Sequence, residues 1–238
     1  MFRATGRRRG ALPLILACLL AACAVPPAGP PAAPQPETGL DLQEAAQDAY
    51  YRRAEALGQK VWRIDAQHSL ISITVRRSGK LARLGHDHVV ASRNVQGFIA
   101  PQAQRADFRF RPDQLSVDDA ALRAEAGFDT QPPADAIEGT RRNMLTRVLD
   151  AQRYPIVLIH VTRAGPAAPF RAGITLHGVT RTVDVAAQTE TRADGITVSG
   201  ALSLNQSDFG IVPFSVLGGA IAVQDSLDVH FRIVSEER

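Results

Sequence analysis

Cysteine is nearly missing from this chain: Cys18 and Cys23 are the only two in 238 residues. Both sit close to the N-terminus, so the remainder has no thiol for catalysis, disulfide formation or metal ligation. Aromatic residues are scarce at 5 %, with a single Trp, so an interior built from this sequence must be walled mainly by aliphatic side chains. The sequence also lacks an apolar run of the roughly 20 residues that a membrane-spanning helix requires. There is no Gly-x-Ser-x-Gly elbow, no His-Glu-x-x-His pair and no glycine-rich phosphate loop, so the common hydrolytic and nucleotide chemistries have no support.

What is present begins with a basic head, Arg3, Arg7, Arg8 and Arg9, followed by a short apolar core from Ala11 to Ala22. Leu20-Ala21-Ala22-Cys23 closes it, which is the form of a bacterial lipoprotein signal: small residues precede a cysteine whose thiol takes a diacylglycerol. Residues 1–22 are therefore expected to be removed and Cys23 to be lipidated. The rival reading is an ordinary secretory signal in which Cys23 is incidental. The arginine run lacks the rest of a twin-arginine pattern, so export through the general secretory route is expected. Ala24, rather than Asp, follows Cys23, which favours outer-membrane attachment with periplasmic exposure.

Removal of the signal changes the charge argument. The whole sequence is +3, but losing those four arginines leaves 23 basic residues against 24 acidic, about −1 before His is counted. No basic footprint for nucleic acid remains. Residues 23–39 are rich in Pro and Ala and read as an extended tether. Within residues 40–59, Leu42, Ala45, Ala46, Ala49 and Tyr50 fall roughly on one stripe and predict a short peripheral helix. Residues 60–238 make one folded domain.

That domain reads as strands. Ile71, Ile73 and Val75 alternate with polar residues, as do Phe108 and Phe110, Ile174 and Leu176, Val183 and Val185, and Leu227 through Ile233. Ile196, Val198, Leu202 and Leu204 share another face. Repeated period-two patterning predicts antiparallel strands with one dry and one wet side. Ser78-Gly79, Gly165-Pro166, His177-Gly178 and Asp194-Gly195 supply turns, the last being the strongest hairpin signal. One segment breaks the pattern: after Pro132-Pro133, Ile137, Met144, Leu145, Val148 and Leu149 fall at helical spacing. The fold class predicted is all-β with one inserted helix, as an antiparallel barrel, a two-sheet sandwich being the alternative that periodicity leaves open.

Four stretches resemble the YceI-like family of extracytoplasmic, lipocalin-like barrels. They are Trp62-Arg63-Ile64-Asp65 with His68-Ser69, residues 149–156, residues 173–181, and Asn205-Gln206-Ser207-Asp208-Phe209-Gly210-Ile211 followed by Gly218-Gly219 and Val223. The resemblance covers roughly residues 61–234. The resemblance implies a lipocalin-like barrel of about eight strands, with an apolar tunnel for a long-chain polyisoprenoid or fatty amphiphile. It implies carriage or sequestration without turnover, and no cofactor beyond such a lipid ligand. The few aromatics are compatible with a hollow interior, because a barrel of this size either fills with side chains or holds one ligand.

On that reading the wall candidates are Ile71, Ile73, Phe98, Phe108, Phe110, Leu202 and Phe231, with Met144, Phe209 and Phe214 at the entrance. Each has a plain alternative as core packing. Leu84-Gly85-His86-Asp87-His88-Val89 is the most distinctive local run and departs from the family pattern. On a strand His86 and His88 would share a face, either as partly buried polar residues bonded to backbone carbonyls, where they could orient a ligand head group, or as half of a metal site completed by His160, His177 or His230. The former is expected, with no metal. The alternatives are therefore a metal-binding or metal-dependent envelope protein using His86 and His88, or a displayed interaction module with a filled barrel. Partners expected are the lipid and the membrane; a homodimer stays open.

Overall fold

A computed structural model describes residues 39–165 and 167–237. The expected signal, Cys23, nearly all of the 23–39 tether, and Pro166 of the Gly165-Pro166 turn lie outside the described residues. Thirteen strands form one antiparallel sheet: β1 (Trp62–Ile64), β2 (Leu70–Ser78), β3 (His88–Ser92), β4 (Gln96–Ala100), β5 (Arg105–Phe110), β6 (Ser116–Val117), β7 (Val157–Arg163), β8 (Phe170–Leu176), β9 (Val179–Val185), β10 (Ala187–Thr191), β11 (Gly195–Asn205), β12 (Ser215–Val216) and β13 (Ile221–Glu237). Among the described residues three α-helices accompany them: α1 (Gly39–Ala56), α2 (Ala120–Glu125) and α3 (Ala134–Asn143).

Several strands are halves of longer bent ones. β2 pairs with β3 while β1 pairs with β4, and β3 pairs with β6 while β4 pairs with β5. Taking β1/β2, β3/β4, β5/β6 and β9/β10 as bent units, with β7, β8, β11 and β13, gives eight long strands in chain order and β12 as a short addition. β13 meets both β11 and β1/β2, bringing the last strand beside the first. The hydrogen-bonded ladder is not a closed ring. β9 bonds to β8 and β10 to β11, and between them the wall continues only through the chain at Ala186.

The alternating residues face as their period requires. Ile71, Val90, Phe110, Ile159, Val229 and Ile233 meet in one buried cluster on the inner side. Ser69 fastens the joint: its buried hydroxyl accepts the Val234 amide at 2.9 Å and donates to the Val234 carbonyl at 3.3 Å. Turn chemistry is divided between two sites. His177 and Gly178, with φ of 52° and 75°, form the tight β8–β9 turn, where both central residues need positive φ. Gly195 starts β11 after the β10–β11 turn for a different reason, since a Cβ there would stand 1.9 Å from the Ser235 carbonyl oxygen.

The helix expected as peripheral is seated. Tyr51 and Ala54 of α1 are buried with Val61 and Ala100 on the outer side of the sheet. The Tyr51 hydroxyl donates to Asp107 at 2.7 Å, and Arg109 reaches Asp48 at 3.2 Å. Burial and then the Asp107 charge push the Tyr51 phenol up, so it stays a proton donor. Asp107 also receives Arg105 and the His160 ring nitrogen, each at 2.6 Å. The helix α3 follows Pro133 and ends in a π-helical turn, Met144–Val148. Arg141 ties it to the Asp113 and Leu115 carbonyls.

Candidate functional site

Inside the wall lies a cavity of about 340 Å³. Its lining comes from both halves of the barrel, the α3 segment and the loop after β11. Among the lining residues only His88, Thr140, Asn143 and Gln206 have polar side chains. Gln206 is already engaged, donating to the Gln224 carbonyl at 2.8 Å. Such a surface removes apolar ligand area from water at roughly 25 cal/mol per Å² and offers little to a charged solute.

Ile71, Ile73, Phe108, Phe110, Leu202 and Phe231 all line the cavity, as do Met144 and Phe214. Arg147 of the π-helical turn lies 4.8 Å from the Phe214 ring centre, so the helical segment and the late loop meet beside the cavity.

Two of the apolar candidates stand elsewhere. Phe98 packs against Tyr51 of α1 on the outer side, their ring centres 5.3 Å apart. Its neighbour Ile99 packs on the inner cluster, and successive strand residues face opposite ways. Phe209 is 1 % exposed but is not part of the lining. The 3-10 turn that carries it, Gln206–Phe209, packs on β9, β11 and β13 and gives the cavity Gln206 instead.

The histidine pair also divides. His86 precedes β3 and is exposed, whereas His88 opens β3 and lines the cavity. The two rings are 6.2 Å apart. Of the suggested third ligands, His160 is bound to Asp107, His177 packs against Tyr154 with ring centres 4.4 Å apart, and His230 is exposed on β13. Among the described residues no group of three or more His, Cys, Asp or Glu is placed to hold a metal.

His88 is held from behind by a buried network absent from the sequence reading. Its Nδ1 lies 2.6 Å from Asp118, whose side chain is wholly buried. The same carboxylate accepts the Val89 amide at 3.0 Å and the buried Arg123 guanidinium at 2.6 Å. Arg123 donates further to the Thr130 carbonyl at 2.9 Å and the Asp87 carbonyl at 2.6 Å. Burial opposes the Asp118 charge, but the His88 hydrogen bond, the Val89 amide and Arg123 outweigh it and hold the carboxyl below its usual range. Asp118 adopts φ 55°, a left-handed conformation Asp tolerates better than most residues. Asp119 then caps α2 by accepting the Ala121 and Leu122 amides, which fixes the helix carrying Arg123.

Strand register places this polar group. Val75 pairs with both His88 and Leu227, one level in from the rim pairs Arg77–Val223 and Ser78–Ala222. Deeper levels hold Ile73, Val90 and Val229, then Ile71 and Phe231. The cavity is thus polar near the end closed by the late loop and apolar beyond it.

The family model described as YceI-like domain matches residues 62–235. No curated protein matches the chain. Among solved structures it is similar to a polyisoprenoid binding domain from Saccharophagus degradans implicated in plant cell wall breakdown. That match has 15 % identity and a TM-score of 0.54, covering 76 % of this chain and 100 % of that one. It is similar also to Burkholderia cenocepacia BcnA, at 16 % identity and a TM-score of 0.52, covering 72 % and 98 %. At these identities the likeness shows the shared fold.

Proposed function

The chain belongs to the YceI-like domain family, and from that premise we propose that it binds a long-chain polyisoprenoid or fatty amphiphile non-covalently, without turnover. The observation that carries this reading is the cavity of about 340 Å³ with its almost wholly aliphatic and aromatic lining. An apolar cavity of about 150 Å³ already admits benzene, so this one has room for a substantial length of hydrocarbon chain. The Saccharophagus degradans relative, itself a polyisoprenoid binding domain, supports the same ligand class.

The protein would work as a carrier or store in the cell envelope, anchored through lipid on Cys23 and facing the periplasm. The sequence Leu20-Ala21-Ala22-Cys23 supports the anchor, and Ala24 supports the outer membrane as its site. The test is native mass spectrometry with solvent extraction on the full chain carrying Cys23→Ser, purified from a periplasm without detergent. The expected result is a bound, extractable isoprenoid or fatty species near one per protein. A chain that is consistently empty and takes up no added lipid contradicts the reading.

A further inference from the structure

We propose that His88 selects amphiphiles ending in a hydroxyl group, an isoprenoid alcohol or an alkylphenol, and orients them with the tail directed inward. The inference deepens the lipid-binding reading and rests on it. His88 is the one titratable side chain among the described residues lining the cavity. Its Nδ1 is committed to Asp118 at 2.6 Å, and the depressed carboxyl makes Asp118 an acceptor. Nδ1 therefore carries the proton it donates, and in the neutral ring the opposite nitrogen, Nε2, holds a lone pair. Among the described residues Nε2 makes no hydrogen bond within the protein, and the ring lines the cavity, so a bound ligand is its available partner.

An acceptor in an apolar chamber discriminates in one direction. It favours a group that donates and gives nothing to an ether or a carbonyl oxygen of the same size. Arg123 already balances the Asp118 charge, so the network offers no surplus cation to a phosphate. The level of His88, one step in from the Arg77–Val223 rim with only apolar levels beyond, sets the polarity of the bound molecule. The hydroxyl sits near the late loop and the hydrocarbon runs towards Ile71 and Phe231. Asp118 is a positioning residue here: it fixes the ring and its tautomer without touching ligand.

The test is calorimetric titration of the full chain carrying Cys23→Ser at about pH 8. The probes are farnesol and its methyl ether, and dodecylphenol and its methyl ether. At least one hydroxyl probe should bind about tenfold more tightly than its own ether, and the pair that discriminates identifies alcohol or phenol as the source. In His88→Phe the ratio should fall to near unity while the ether still binds. Equal binding of hydroxyl and ether to the unsubstituted site overturns the selectivity and leaves the apolar cavity reading intact. Failure of all four probes overturns both. Discrimination that survives His88→Phe also overturns the assignment. Should His88→Phe not fold, the comparison in the chain that retains His88 decides the matter alone.

Discussion

Asp118 shows how much of the site depends on a residue that never meets the ligand. Its buried carboxylate holds His88, the Val89 amide and Arg123 together. Because its folded value lies below the usual carboxylate range, its contribution is complete above the unfolded value of about 4. It is lost as pH falls through the folded value. The melting temperature of Asp118→Asn should therefore lie below that of the unsubstituted protein by a constant margin from about pH 5 to 7, and the margin should shrink below about pH 4. A margin unchanged at about pH 2 contradicts this account. Removing the partner is more severe, since a buried charge left alone costs about 3–5 kcal/mol. Denaturant unfolding of Arg123→Met should show a loss of that order, and Arg123→Met/Asp118→Leu should recover part of it. Neither residue was legible in the sequence. Asp119 caps α2. The role of Asp118 needed the left-handed turn at that residue and the return of Arg123, both set by tertiary packing.

At the scale of elements, period-two patterning located the strands because one face of each is dry and the other wet. Ile71 with Ile73, Phe108 with Phe110, and Leu227 through Ile233 all face inward as their alternation requires. Phe98 misled because a large aromatic residue also has a use on the outer face, under α1. That helix was readable as a helix but not as a seated one: the contacts that hold it are single residues, Tyr51 on Asp107 and Asp48 on Arg109, rather than a long apolar stripe. Tyr51→Ala should cost about 3 kcal/mol through the cavity it leaves, and amide exchange should accelerate across α1. Affinity for a cavity ligand should stay within about twofold, since Tyr51 lies outside the wall. Loss of ligand binding in that variant would show that α1 contributes to the site.

The described residues from β1 to β13 form a barrel-like wall around a thinly filled interior. Eight long strands enclose a space that the sequence, with one Trp and few other aromatics, does not fill. The all-β class was legible from the period-two alternation and the turns, and the barrel from the four family-like stretches, since periodicity alone left a sandwich open. The cavity was not, because hollow and filled barrels share the same alternation. The break in the ladder between β9 and β10 was equally hidden, since it depends on how one strand bends at Ala186. Binding at the cavity should bury apolar surface and give a negative heat-capacity change, measurable by titration at several temperatures.

The most direct test fills the space. Ala172 is buried, lines the cavity and can carry a larger side chain only by occupying it. Farnesol titrated into the full chain carrying Cys23→Ser, with and without Ala172→Phe, compares an open with an occupied interior. The account predicts near-stoichiometric binding in the first and at least about a tenfold weaker affinity in the second, with the melting temperature of the free protein preserved or raised. Equal affinity in the two, with Ala172→Phe folded, would mean that the lipid binds somewhere other than the barrel interior.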